Sequence, residues 1–241
     1  MSLLTCHWRN LAFANYIISP EILEKYLPSY TKIDYFDRKC YVSLVGFQFK
    51  DIEIAGVKIP FYTDFEEINL RFYVKRFDGT TWRKGTVFIS EIADKSVLKI
   101  LANSFLHEKY QTLKTKQEVK ENSDFIETGY SWKAGRNWQS IEMIGENSPK
   151  LVAEGTEPHF IMDRPWGYQK YDALTTNEYE VSHPQWKILP VSTFDINVDF
   201  KESFGSAFSI LNGILPHSVI LAEGSLVSVK GMNKITSSIQ E

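Results

Sequence analysis

From Tyr41 to Phe49, and again from Phe65 to Val74, the chain alternates with a period of two, and bulky side chains fall on both faces of each run. Successive residues of a strand point to opposite sides. In the first run Tyr41, Val45, Phe47 and Phe49 alternate with Val42 and Leu44, which predicts a strand over residues 39–50 buried on both faces. Gly46 inside it predicts a bulge or a close backbone approach. In the second run Ile68, Leu70, Phe72 and Val74 share a core face, while Glu67, Asn69, Arg71 and Tyr73 share the other. An acid, an amide, a guanidinium and a phenol in one file can grip a small polar molecule, or can form a solvent-facing surface with a cross-strand ion pair.

The remaining pattern supplies a β-rich shell around that file. Residues 6–18 read as an opening strand. Ser19-Pro20-Glu21 starts a helix of about two turns, with a capping hydroxyl, a proline at the first position and an acid at the positive end of the dipole, and Pro28 stops it. Ala55-Gly56 marks a turn. Asp78-Gly79 marks a hairpin whose return strand, residues 85–91, brings Val87 and Ile89 near the file. Asp94 caps the longest helix, running to about Tyr110 with Val97, Leu98, Leu101 and Phe105 at helical spacing. Strands follow at 118–121, 125–132 and 138–144, then a capped helical turn over 156–164 and strands at 179–182, 186–190 and 192–200. A short helix is expected at 203–211. A closing hairpin joins 218–221 to 225–229 through Glu223-Gly224.

These elements total about ten strands and one substantial helix, and no linker, repeat or composition break divides the 241 residues. The expected fold is α+β and mainly β: a single domain over residues 1–241, built as a large antiparallel β-barrel or cone with one main helix and short peripheral helices. Closure removes exposed sheet edges, and barrel mouths are frequent small-molecule sites.

Composition narrows the function classes. Aromatic residues make up 14% of the chain, which favours strands. The net charge of −3, with both signs interspersed, lacks the footprint of a nucleic-acid binder. No apolar run approaches the roughly 20 residues that span a bilayer, and the start of the chain has no signal-peptide pattern, so a cytoplasmic protein is expected. Cys6 and Cys40 stand far apart without a Cys-x-x-Cys spacing and read as buried free thiols.

The order of the landmarks resembles the YqjF-like family of uncharacterised bacterial proteins, placed in the acetoacetate-decarboxylase-like superfamily. The resemblance rests on Trp8, on Ser19-Pro20 through Leu27-Pro28, and on Tyr41-Val-Ser-Leu-Val45. It continues through Phe65-Glu-Glu-Ile-Asn-Leu-Arg-Phe-Tyr-Val74, Val87-Phe-Ile-Ser90, His107-Glu-Lys-Tyr110, residues 160–166, His183-Pro-Gln-Trp186 and residues 219–225. It implies a cone-like barrel with an internal cavity. In the superfamily's decarboxylases a lysine forms a Schiff base with a keto acid and acidic residues on a neighbouring strand line the site; Glu67 resembles one of these. The decarboxylase Gly-Arg-Glu…Pro-Lys signature is absent, and either Lys109 or Tyr110 takes the lysine's place.

The candidate site is therefore Arg71, Asn69 and Tyr73 for binding, with Glu67, Lys109, Tyr110 and His107 as catalytic candidates. Arg71 suits a carboxylate, which it can hold by two parallel hydrogen bonds. Lys109 as a Schiff-base amine needs a lowered pKa; in the alternative it sits in water at a helix C-terminus. His107 and His183 lack metal-ligand spacing, and no nucleophile elbow or phosphate-binding glycine loop occurs, so no metal or cofactor is expected. Three functions remain: a pocket for a small organic acid or carbonyl compound with acid/base chemistry, a Schiff-base decarboxylase or lyase using Lys109, and a non-catalytic interaction or homo-oligomeric assembly module.

Overall fold

The structure, a computed structural model, describes residues 2–58, 64–94 and 110–237. It is mainly β. The long strands are β1 (Ser2–Ile17), β3 (Tyr41–Ile54), β5 (Phe65–Phe77), β6 (Trp82–Ala93) and β15 (Ser218–Lys230). Shorter partners are β2 (Lys32–Ile33), β4 (Val57–Lys58), β7 (Tyr110–Thr112), β11 (Trp166–Lys170), β12 (Thr176–Ser182), β13 (Ile188–Leu189) and β16 (Asn233–Ile235). Pairing runs β15-β1-β3-β5-β6-β11-β12 and then returns from β12 to β15 through Val181↔Val229 and Ser182↔Ser228. The sequence of pairings thus closes on its starting strand. All pairs are antiparallel except β6–β7 and β6–β11. A parallel neighbour needs a long crossover, and the chain between β6 and each of those two strands is long enough.

A second sheet, ordered β14-β10-β9-β8, packs on the first. Its strands are β8 (Thr115–Glu121), β9 (Phe125–Ala134), β10 (Asn137–Glu146) and β14 (Val191–Asn197). This layering explains why β3 is apolar on both faces and why β5 is buried on both. Val42, Leu44, Ile68, Leu70, Phe72 and Val74 face the second sheet and share a core with Tyr130, Trp132 and Met143. Tyr41, Val45, Phe47, Phe49, Phe65 and Tyr73 belong to a separate core on the opposite side, with Leu11, Phe13 and Trp186. Gly46 is the close approach its position implied: a Cβ there would lie 2.5 Å from the Tyr130 ring.

Several elements differ from expectation. Ser19–Pro28 forms two 3-10 turns, Pro20–Ile22 and Glu24–Tyr26. The helix expected at 203–211 is divided at Gly205 (φ 102) into the helix Phe200–Phe204, capped by Asp199 accepting from the Glu202 amide, and a 3-10 segment Ser206–Leu211. The interior of the long helix expected over 94–110 lies outside the described residues, and Tyr110 begins a strand. Glu223-Gly224 is no hairpin turn, because β15 continues through it without a break in pairing.

Candidate functional site

The polar file on β5 lies on the inner side of the ring of pairings. Glu67, Asn69 and Arg71 are all buried and line a cavity of about 60 Å³, measured to the centre of a water-sized sphere. One water needs about 10–15 Å³ on that measure, so the space takes a few waters or a ligand of a few heavy atoms. Its apolar wall includes Trp8, Leu11, Phe47, Phe88 and Trp186.

Register decides which other side chains reach it. On β6 the pairs are Phe72↔Val87, Arg71↔Phe88, Leu70↔Ser90 and Asn69↔Glu91, with an irregularity between Leu70 and Arg71 that leaves Ile89 as the extra residue. A bulge of this kind flips the parity of everything beyond it. Val87 and Ile89 therefore join the core against the second sheet, while Thr86, Phe88 and Glu91 line the cavity. Strand β7 continues the row, with Tyr110 opposite Glu91. Asn69, Glu91 and Tyr110 thus stand side by side on three strands, and Glu67 lies on the diagonal.

The Glu67 carboxylate is held at both oxygens. Asn69 Nδ2 donates to Oε1 at 3.1 Å, and the Tyr110 hydroxyl donates to Oε2 at 3.0 Å. Arg71 Nη2 donates to the Ile161 carbonyl at 3.3 Å, and its guanidinium lies 5.0 Å from the Phe13 ring centroid. Tyr73 is buried but lies off the cavity wall. Its hydroxyl exchanges a 2.6 Å hydrogen bond with Ser43, and its ring backs both Arg71 and Arg164, at 5.8 Å and 5.1 Å.

Arg164 is the second guanidinium of the cavity, delivered by the chain leaving the short helix Glu157–Met162. Its Nε donates to the Phe160 carbonyl and its Nη1 to Asp34 Oδ2, both at 2.6 Å. Burial pulls the Arg164 pKa below its ordinary value; Asp34 opposes that shift and the nearby Arg71 adds to it. Arg71 is 6% exposed and Arg164 5%. Arg71 Nε, Arg164 Nη2 and Asn69 Oδ1 have no hydrogen-bond partner among the described residues. His183 stacks on Trp186, 4.0 Å between centroids, and burial lowers its pKa, which favours the neutral imidazole.

Of the seven residues singled out in the sequence, the structure brings Glu67, Asn69, Arg71 and Tyr110 together and sets Tyr73 behind the arginine. Lys109 and His107 lie outside the described residues. Sequence reasoning missed Glu91, Arg164 and the place of His183. Among the described residues, no group of three or more His, Cys, Asp or Glu side chains is arranged to hold a metal ion.

Known proteins with a similar sequence or fold agree with this architecture. Uncharacterized protein YqjF of Bacillus subtilis (strain 168) is 28% identical over 121 residues, 50% of this chain and 48% of that protein. The match thus spans about half the length of that curated relative. Among solved structures, the acetoacetate decarboxylase of Legionella pneumophila superposes with a TM-score of 0.61 at 9% identity, covering 96% of this chain and 86% of its own. The enduracididine biosynthesis enzyme MppR complexed with pyruvate superposes with a TM-score of 0.65 at 12% identity, covering 97% and 91%. At such identities the likeness is one of fold, acetoacetate decarboxylase-like. The sequence profile of DUF2071, described as an uncharacterized conserved protein, matches residues 5–225. A match over nearly the whole length decides the family, and the chain belongs to DUF2071.

Proposed function

We propose that the cavity binds a small organic acid or carbonyl compound through its carboxylate, with Arg71 and Arg164 as anchors and Glu67 and Tyr110 as an acid/base pair. The observation that carries this reading is the pair of buried guanidinium N–H groups, on Arg71 Nε and Arg164 Nη2, without acceptors among the described residues. An unsatisfied buried donor costs about 1–3 kcal/mol, more when charged. A carboxylate seated against the two guanidinium groups would offer them charge-assisted bonds. The Glu67 carboxylate, fixed by Asn69 and Tyr110, is oriented to take a proton, and the Tyr110 hydroxyl stands beside it to give one. Glu91 adds a second carboxylate in the same row. The pyruvate held by MppR, a protein of similar fold, is a ligand of the proposed class and size.

The same proposal includes a single domain over residues 1–241 closed as a β-barrel or cone, which the return of pairing from β12 to β15 supports. It also includes a cytoplasmic location, supported by two free buried cysteines. No helix among the described residues is long and apolar enough to cross a membrane. An assembly module with a filled interior is less well supported, because the interior holds a cavity with charged walls.

A thermal-melt screen against small carboxylic and 2-oxo acids tests the pocket. A ligand at about 100 times its Kd stabilises by roughly 2.7 kcal/mol, which for a chain of this size raises Tm by roughly 5–10 °C. The shift is expected in the wild type and absent in Arg71→Ala. A screen silent in both proteins would refute the pocket.

A second reading, Schiff-base chemistry on Lys109, is supported by the likeness of fold to an acetoacetate decarboxylase. Borohydride added to protein with pyruvate is expected under this reading to leave a stable mass adduct on Lys109. A ligand that shifts Tm but gives no adduct would leave acid/base chemistry by Glu67 and Tyr110 as the surviving alternative.

A further inference from the structure

The cavity has a neighbour. A second space, a vestibule of about 240 Å³, shares Met162, His183 and Trp186 with the cavity as lining residues. Its polar lining is Glu154, His159, Asp163 and Gln185, and no lysine or arginine lines it among the described residues. The division of charge arises at one step of the chain. The helix Glu157–Met162 ends with Asp163 as its C-cap. Asp163 then lines the vestibule while the next residue, Arg164, lines the cavity. Adjacent residues thus place opposite charges in adjoining spaces.

We propose that the ligand of this site is two-headed: a carboxylate in the cavity and, a few bonds away, a cationic group such as a primary amine in the vestibule, held by Glu154 and Asp163. This rests on the reading of the cavity as a carboxylate site, and deepens it by naming the far end of the molecule. Two independent features meet in it. Inside, buried donors of Arg71 and Arg164 await an acceptor. Outside, Glu154 has no ion-pair partner among the described residues, and Asp163 has only His159, at 3.7 Å and i,i+4 on the same short helix. An ammonium group can displace a contact of that length, since exposed pairs contribute little. His183 lines both spaces and is held toward its neutral form by burial, which outweighs the opposing pull of the Pro184 carbonyl and of Asp163, with Arg71 adding a smaller push in the same direction as burial. The shared wall therefore adds little positive charge to repel an amine beside it. An anionic tail would face two carboxylates, and an apolar tail would leave them solvated.

Hexanoate, 6-aminohexanoate and adipate separate these cases, because they have similar length and differ in the charge of the far end. Binding of each, and of pyruvate as a probe of the cavity alone, is measured by calorimetry on wild type and on Glu154→Gln/Asp163→Asn. Both substituted side chains are exposed, so the variant is expected to melt with the wild type. In the wild type 6-aminohexanoate is expected to bind about fivefold more tightly than hexanoate, the sum of two exposed ion pairs, with adipate the weakest. The double variant should lose the preference and keep its affinity for pyruvate. Pyruvate binding without a preference for the amine, or with a preference that survives in the variant, overturns the two-headed ligand and leaves the carboxylate pocket standing. No binding by any of the four acids, pyruvate included, overturns both.

Discussion

Asp34→Ala is expected to lower the stability of the protein by about 3–5 kcal/mol, the usual cost of leaving one member of a buried ion pair without its partner. Asp34 follows the short strand β2, with its amide bonded to the Tyr73 carbonyl at 2.9 Å. Its carboxylate receives Arg164 Nη1 at 2.6 Å and lies 3.3 Å from Lys75 Nζ. Lys75 reaches solvent, with about a third of its side chain exposed, but the Arg164 side chain is only 2% exposed. Without Asp34 the guanidinium keeps the Phe160 carbonyl and a ring face, Phe160 at 3.9 Å, and no counter-charge. Urea unfolding measures the loss. The companion variant Asp34→Leu/Arg164→Met separates charge from packing, since replacing both partners by apolar groups is often near neutral. The double variant should recover most of the stability while losing the carboxylate ligand, because it removes one of the two anchors. A single variant within about 1 kcal/mol of wild type would mean that water reaches Arg164, and the case for an unsatisfied guanidinium in the cavity would fall with it.

How far the site could be read in advance follows from strand parity. Glu67, Asn69 and Arg71 were legible because β5 keeps strict alternation over its whole length, and two residues of spacing fix one face. Both faces of β3 were legible as buried for the same reason, whereas for β5 alternation grouped the polar file on one face without deciding that it points inward. Glu91 was not, because the extra residue at Ile89 moves it to the face of Thr86 and Phe88, and nothing in Val87-Phe-Ile-Ser-Glu91 marks where the bulge falls. The only local hint is the acid itself, set among largely apolar neighbours near the end of the strand. Arg164 was not legible either, since it enters the cavity from a turn 93 residues beyond Arg71 and its partner Asp34 comes just after a two-residue strand. Long-range partners leave no periodic trace. Tyr73 shows the converse limit: parity put it on the face of Glu67, Asn69 and Arg71, but the end of its side chain turns to Ser43, a matter of packing that parity does not govern.

The misreading of Glu223-Gly224 leads to the second large effect. Ile220 and Ala222 face the inner core, and so do Val227 and Val229, so the alternation breaks between them. A break beside a glycine reads as a turn. In the structure the same break occurs on the facing strand: Trp8 and Leu11 both line the cavity, with Asn10 between them at φ 54. The two strands stay paired through it, Arg9↔Gly224 and Leu11↔Ala222. A matched kink of this kind demands close backbone approach, and Gly224 supplies it at φ 78, where a Cβ would lie 2.0 Å from the Trp8 carbonyl oxygen. That contact is backbone against backbone, so no side chain can rotate away. Gly224→Ala is therefore expected to cost about 3 kcal/mol or more, combining left-handed strain with a forced separation of β1 and β15. Gly56→Ala is the control: its φ is 79 but nothing lies within 4 Å of its Cβ, so about 1 kcal/mol of strain is all it should lose. Side-by-side melts should then differ by several degrees. Equal melting of the two variants would show that β1 and β15 do not meet at Trp8. Since the Trp8 ring packs on Phe47 and Trp186, at 4.9 Å and 6.0 Å, moving its carbonyl moves the cavity wall. Any Gly224→Ala protein that still folds should therefore bind its carboxylate ligand more weakly, whereas Gly56→Ala should not.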